Sequence, residues 1–290
     1  MIRHVWQAIR PLTTQQKFLY LVAALLIASG LVHSVIALVA ILGGEPWSGP
    51  VSWRKPVVFG LSVGLASIAF AWVLRQLPNK RWGWIPTGLF GVSSVVEVAI
   101  ITLQKWRGVP SHFNVQTDFD TAMFFLMAQC VGGIIIATLI YLVWSIAQFR
   151  GSGADRVATL VGIVAILVAG YIGGSMIVEG EIYSITTGGG IPYEVVFGAE
   201  GAAKLAHFIG LHGIHFLALI AILSRRVLLT AVGAGAYAAV FTSVTITAYE
   251  GRSWLQPILP LGVLALVGVV VGLAVVIATV LAYRRSARLS

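Results

Sequence analysis

Apolar residues along this chain follow neither the alternation of a half-buried strand nor the single stripe of a surface helix. They run on in eight long blocks, at about 18–42, 56–75, 84–104, 121–148, 157–178, 204–223, 227–249 and 257–283. About twenty helical residues cross the hydrocarbon core of a bilayer, and each block reaches that length almost free of charge. A helix satisfies its own backbone in lipid, where an open strand or a loop cannot. The pattern therefore predicts an all-α integral membrane protein: a single bundle of about eight transmembrane helices in one polytopic domain, 1–290. The block at 121–148 exceeds the bilayer thickness, which predicts a tilted or protruding helix. The first block follows the basic segment MIRHVWQAIRPLTTQQK. It is longer than a signal-peptide core and has no small-residue cleavage pattern after it, so it reads as a retained span.

Composition narrows this further. Of 290 residues, 58% are hydrophobic and only 10% charged, and the mean hydropathy is +0.94. No soluble domain of this size hides so much apolar surface. The single cysteine, Cys130, excludes an intrachain disulfide and any CxxC metal site.

The net charge of +9 would fit nucleic acid if the basic residues clustered. They follow topology instead. With the N-terminus inside, thirteen of the nineteen lysines and arginines fall in the inner segments, Arg75, Lys80, Arg81, Arg225 and Arg226 among them. Eight of the ten carboxylates fall outside. This bias places both termini in the cytoplasm of a bacterial-type inner membrane. It predicts contact with membrane lipids, anionic ones at the cytoplasmic face, and no nucleic-acid partner.

The inner connections are short (LPNKRW, FRGSGADR, SRR), whereas the outer ones are long and compositionally rich, as in GGEPWSGPVSWRK and KWRGVPSHFNVQTDFD. Long, unusual loops carry function more often than plain connectors do. The longest holds Thr186-Thr187-Gly188-Gly189-Gly190, which reads as a mobile flap. The two halves of the chain show no internal repeat of the kind that builds many transporters.

Candidate chemistry lies on polar positions inside the spans, where such residues are costly and face a bundle interior or a wet cavity. The sixth span opens with AKLAHFIGLHGIH from Ala203. Helical geometry puts His207, His212 and His215 within an arc of roughly 140°, with Lys204 above them. The first span carries His33 and the third carries Ser93, Ser94, Glu97 and Gln104. Further stripes are Lys55, Phe59 and Ser62; Met123, Met127 and Cys130; Tyr171, Ser175 and Glu179; and Thr242, Thr245 and Tyr249. At about 1.5 Å per residue, His33, Glu97 and His212 lie roughly 11–14 Å below the outer ends of their helices, at matched depth.

Two imidazoles at one depth on different helices suit the axial positions of a b-type haem, so the first expectation is a redox protein with His33 and His212 as ligands. His207 is a further candidate metal ligand. Glu97 and His215 would orient ligands or relay protons as the catalytic pair. Arg54, Lys55 and Lys204 would hold an anionic group such as a haem propionate, a quinone-like headgroup or a lipid phosphate. The alternative expectation is a proton-coupled transporter or channel in which the same histidines and Glu97 serve a small polar solute from the outer side. A third is a structural or assembly subunit whose polar residues lock the bundle. The methionine–cysteine face reads as core packing before a copper site. Asp118 and Asp120 read as caps of the fourth span before a cation site. No hydrolase, ATPase or nucleotide-binding motif is present.

Overall fold

A computed structural model describes residues 1–187 and 202–286. Among these residues the chain forms α1 (Ile2–Ile9), α2 (Thr14–Leu42), α3 (Arg54–Arg75), α4 (Trp84–Trp106), α5 (Asp118–Gln148), α6 (Gly153–Thr187), α7 (Ala202–Ser224), α8 (Val227–Tyr249) and α9 (Leu259–Ser286). Eight helices, all but α1, are long and apolar enough to cross a membrane. Each coincides with one of the eight apolar blocks. Of the expected flap, Thr186 and Thr187 close α6, and Gly188–Gly190 lie outside the described residues.

Helix starts depart from the hydropathy windows for local reasons. Pro11 disfavours helical backbone at the residue before it, and Arg10 is indeed extended (ψ 140°), which ends α1. Helix α2 then begins four residues before its apolar block because Thr13 and Gln16 form a reciprocal capping box. The Gln16 amide N–H donates to Thr13 Oγ1, and the Thr13 N–H to Gln16 Oε1 at 3.0 Å. Gln16 also donates through Nε2 to the Ala71 carbonyl of α3 (3.3 Å), tying this cap into the fold.

Helix packing resolves two compact units, Pro11–Tyr141 and Leu142–Ser290 with Met1–Arg10. In the first, α2 and α3 run antiparallel at backbone contact. A Cβ on Gly60 would stand 2.9 Å from Gly30 Cα and from the Leu26 carbonyl, and one on Gly64 would stand 2.6 Å from an Ile27 side-chain carbon. Gly60 and Gly64 are a G-x-x-x-G pair, which lets two helices approach where lipid supplies no hydrophobic drive. One end of this unit is closed by aromatic packing. Phe70 lies 4.6 Å from Phe90 and 4.9 Å from Tyr141 between ring centres, and the Tyr141 and Thr87 hydroxyls share a hydrogen bond of 2.8 Å.

The second unit repeats the device on α7. Gly162 receives Ile214, Gly210 receives Ala169 and Phe241, and Gly213 leaves room for the Tyr237 ring. The Tyr237 hydroxyl donates to the Ile209 carbonyl at 3.1 Å. Ser243 donates to the Leu261 carbonyl of α9 at 2.7 Å. Two expected stripes are corrected here. Thr242 is exposed while Ser243 and Thr247 are buried, and Tyr171 is 71% exposed, but the Ser175 and Tyr249 hydroxyls of the two stripes share a hydrogen bond of 2.9 Å.

Gly60→Ala should destabilise the protein by about 1–3 kcal/mol, because its methyl meets backbone that cannot yield. Gly88→Ala, in open space on α4, should be neutral or slightly stabilising. Melting curves of the two variants in detergent check this, and equal curves would refute the packing argument.

Candidate functional site

In the first unit, polar groups gather where α2 ends and α3 begins. His33, on the last third of α2, is 7% exposed. Its Nδ1–H donates to the Ser29 carbonyl (2.8 Å), and its Nε2 accepts from the Trp106 indole N–H (3.1 Å). Those partners fix a neutral ring with hydrogen on Nδ1. Trp53, the residue just before α3, stacks on His33 at 5.9 Å and meets Trp106 edge-on at 5.1 Å. The Lys105 ammonium lies 4.4 Å above the Trp53 ring and pairs with Glu45 at 3.4 Å.

Arg54 and Lys55 form the first turn of α3. Lys55 donates to Ser111 Oγ (3.2 Å), which in turn bonds His112 Nδ1 (2.9 Å). Ser52, Lys55, Ile101, Lys105, Val109 and Ser111 line a cleft here. Burial, with the Lys55 ammonium beside it, pushes the His112 imidazole down to about 3. Asp120 is buried and accepts from Arg107, Gln104 (2.9 Å) and Thr117 (2.7 Å), while its own N–H donates to Thr117 Oγ1. Its oxygens are thus occupied at the start of α5 and in tying it to α4, the capping position expected of it.

Deeper in the same unit lies Glu97 of α4, 6% exposed. No described residue forms a hydrogen bond or ion pair with it. Ser94, one turn earlier, is fully buried and its Oγ has no hydrogen-bond partner. Facing them on α5 are Cys130 and Gly133; a Cβ on Gly133 would stand 2.5 Å from Ser93 Oγ. Met127, on the same face of α5, packs with Ile100 and Ile101 in an apolar cluster, as expected of an adaptable core side chain.

The second unit holds the histidines of α7. His207 donates from Nδ1 to the Ala169 carbonyl of α6 (2.7 Å), its ring lying against Gly173. His212 and His215 lie side by side at 5.2 Å between ring centres, with Phe208 4.4 Å from His212. Lys204 stands in the first turn of α7. His33 and Glu97 thus belong to one unit and His212 to the other.

As an iron ligand His33 would have to surrender the lone pair that accepts the Trp106 hydrogen bond. Among the described residues no group of three His, Cys, Asp or Glu side chains converges to hold a metal. Sequence reasoning missed the Trp53–His33–Trp106 cluster, and its signal was present: tryptophans beside lysines at the ends of two consecutive apolar blocks. No protein-family model, no curated protein and no solved structure matches the chain.

The His112 ring takes up a proton near pH 3 when folded but near 6.5 when unfolded, so its contribution is complete above 6.5 and declines as pH falls toward 3. Melting temperature should therefore drop more steeply between pH 7 and pH 5 in the parent protein than in His112→Asn. Parallel pH profiles would show that His112 carries none of the acid sensitivity.

Proposed function

We propose that this chain is a transporter or channel of the bacterial cytoplasmic membrane that moves a small polar solute, with both termini in the cytoplasm. The observation that carries the reading is Glu97: a carboxyl within a membrane-spanning helix, buried, with no cation or donor among the described residues to hold it. Such a group is costly to keep in a purely structural bundle, where polar side chains are retained because they satisfy one another. Under this topology the ends of α2 and α4 face outward, and the basic excess of the short loops meets anionic lipid on the inner surface.

The redox reading is not adopted, because His33 spends both ring nitrogens on hydrogen bonds within its own unit. The purified protein should accordingly be colourless. A Soret band that vanishes in His33→Ala would restore the haem assignment.

Flux tests the transport reading directly. Reconstituted in sealed proteoliposomes and offered a panel of small carboxylates, amino acids and sugars, the protein should take up at least one of them. Glu97→Gln should lower that uptake by at least tenfold, whereas Phe125→Leu, at an exposed position on α5, should leave it intact. Uptake no greater than that of empty liposomes across the panel would overturn the proposal.

A further inference from the structure

We propose that Glu97, with the hydroxyls of Ser93 and Ser94, binds a monovalent alkali cation, Na+ being the ion to test. As the ion that accompanies a solute, it rests on the transport reading above; as a binding site it stands on its own geometry.

Three oxygen-bearing side chains share one turn of α4. At about 100° per residue, positions 93, 94 and 97 fall within an arc of roughly 100°, with Glu97 between the two serines. All three are buried: Ser94 fully, Glu97 to 6% and Ser93 to 8% exposure. Across from them α5 presents Gly133, and the missing side chain there leaves room for Ser93 Oγ.

The serines elsewhere in the unit show what Ser94 forgoes. A serine inside a helix ordinarily donates to the carbonyl one turn back. Ser34 does so to Gly30 (2.7 Å) and Ser67 to Val63 (2.9 Å). The Phe90 carbonyl stands in the same relation to Ser94, yet Ser94 Oγ has no partner. An unsatisfied buried hydroxyl costs about 1–3 kcal/mol, and a carboxyl without a partner lies on the same arc. A bound cation would satisfy both, since it takes lone pairs from hydroxyl and carboxylate together. A proton on Glu97 would neutralise the acid, but no hydrogen bond joins that carboxyl to Ser94 Oγ, so the hydroxyl would keep no partner.

Charge selects the class of ion. The site offers one formal negative charge, and no lysine or arginine among the described residues acts on it. A monovalent cation brings the site to neutrality, whereas a divalent one would leave a net positive charge buried in an apolar interior. Hydroxyl and carboxylate oxygens are hard ligands, which disfavours soft metal ions.

The test uses the full-length protein in detergent. Binding of 22Na+ is measured directly, and melting temperature is compared in NaCl and in equal N-methyl-D-glucamine chloride. The expected result is one saturable Na+ per chain with a higher melting temperature in Na+. Ser94→Ala should weaken Na+ binding at least tenfold while melting no lower than the parent without Na+, because it removes an unsatisfied group. Glu97→Gln should abolish binding. Absent saturable binding, binding unchanged in both variants, or stronger stabilisation by Ca2+ than by Na+ would each overturn the site. Solute flux without Na+ binding overturns the site and leaves the transport reading standing. Na+ binding without flux of any solute does the reverse.

Discussion

Helices surrounded by lipid gain nothing by hiding apolar side chains from one another, because lipid tails are just as apolar. What holds them is close approach, and in the first unit that approach is the contact of Gly30 with Gly60. It fixes the antiparallel register of α2 against α3, since Leu26 and Ile27 then meet Gly60 and Gly64 further along the pair. In the opposite direction the same register brings His33, one turn beyond Gly30, to Trp53, two turns before Gly60, and the two rings stack. The cluster where α2 ends and α3 begins is therefore a consequence of two glycines, about 5 Å away along α2 and about 10 Å away along α3. A side chain at either glycine would displace the cluster without touching it.

Polar groups within the spans are then sorted by whether the helices supply partners. Most are supplied. Thr87, Thr138 and Thr245 return to the carbonyl one turn back, and His207 finds a carbonyl of the neighbouring helix. His33 finds its partners in Ser29 and Trp106, which makes its imidazole part of the scaffold of the first unit. Ser94 and Glu97 differ from all of these. Buried hydroxyls without a partner also occur at Thr102, Ser145, Thr159, Thr247 and Thr279; what sets Ser94 apart is a buried carboxyl without a partner on the same face of its helix.

Much of the architecture was legible in the sequence because bilayer thickness imposes a length on every apolar block, and length survives any ignorance of packing. Helix starts were less legible where a cap, not hydropathy, sets them, as Thr13 and Gln16 do for α2. The G-x-x-x-G of Gly60 and Gly64 was readable and carries the contact of α2 with α3. Which face of a span looks inward was not readable. In a helix apolar all round, Ser243 and Thr242 are adjacent in hydropathy and opposite in burial. The partners of His33 were equally hidden, since one of them is an indole 73 residues away in sequence. Glu97 was the exception: a lone acid in an apolar block announces itself by cost alone.

Charge connects the buried acid to the ends of its unit. Among the described residues there, Lys105 is offset by Glu45 and Asp120 by Arg107, so these pairs are neutral whatever else the protein binds. Glu97 has no such counterion among the described residues. Its occupancy therefore changes the net charge of the apolar interior, and a buried uncompensated charge is far more costly than a neutral pair. A conformational step that carries the acid away from water is favourable when a cation accompanies it and unfavourable when it is bare. Differential stability of loaded and empty states is the thermodynamic requirement for coupling. A single unpaired carboxyl meets it without any further device, and supplying Glu97 with a permanent cationic partner would remove it.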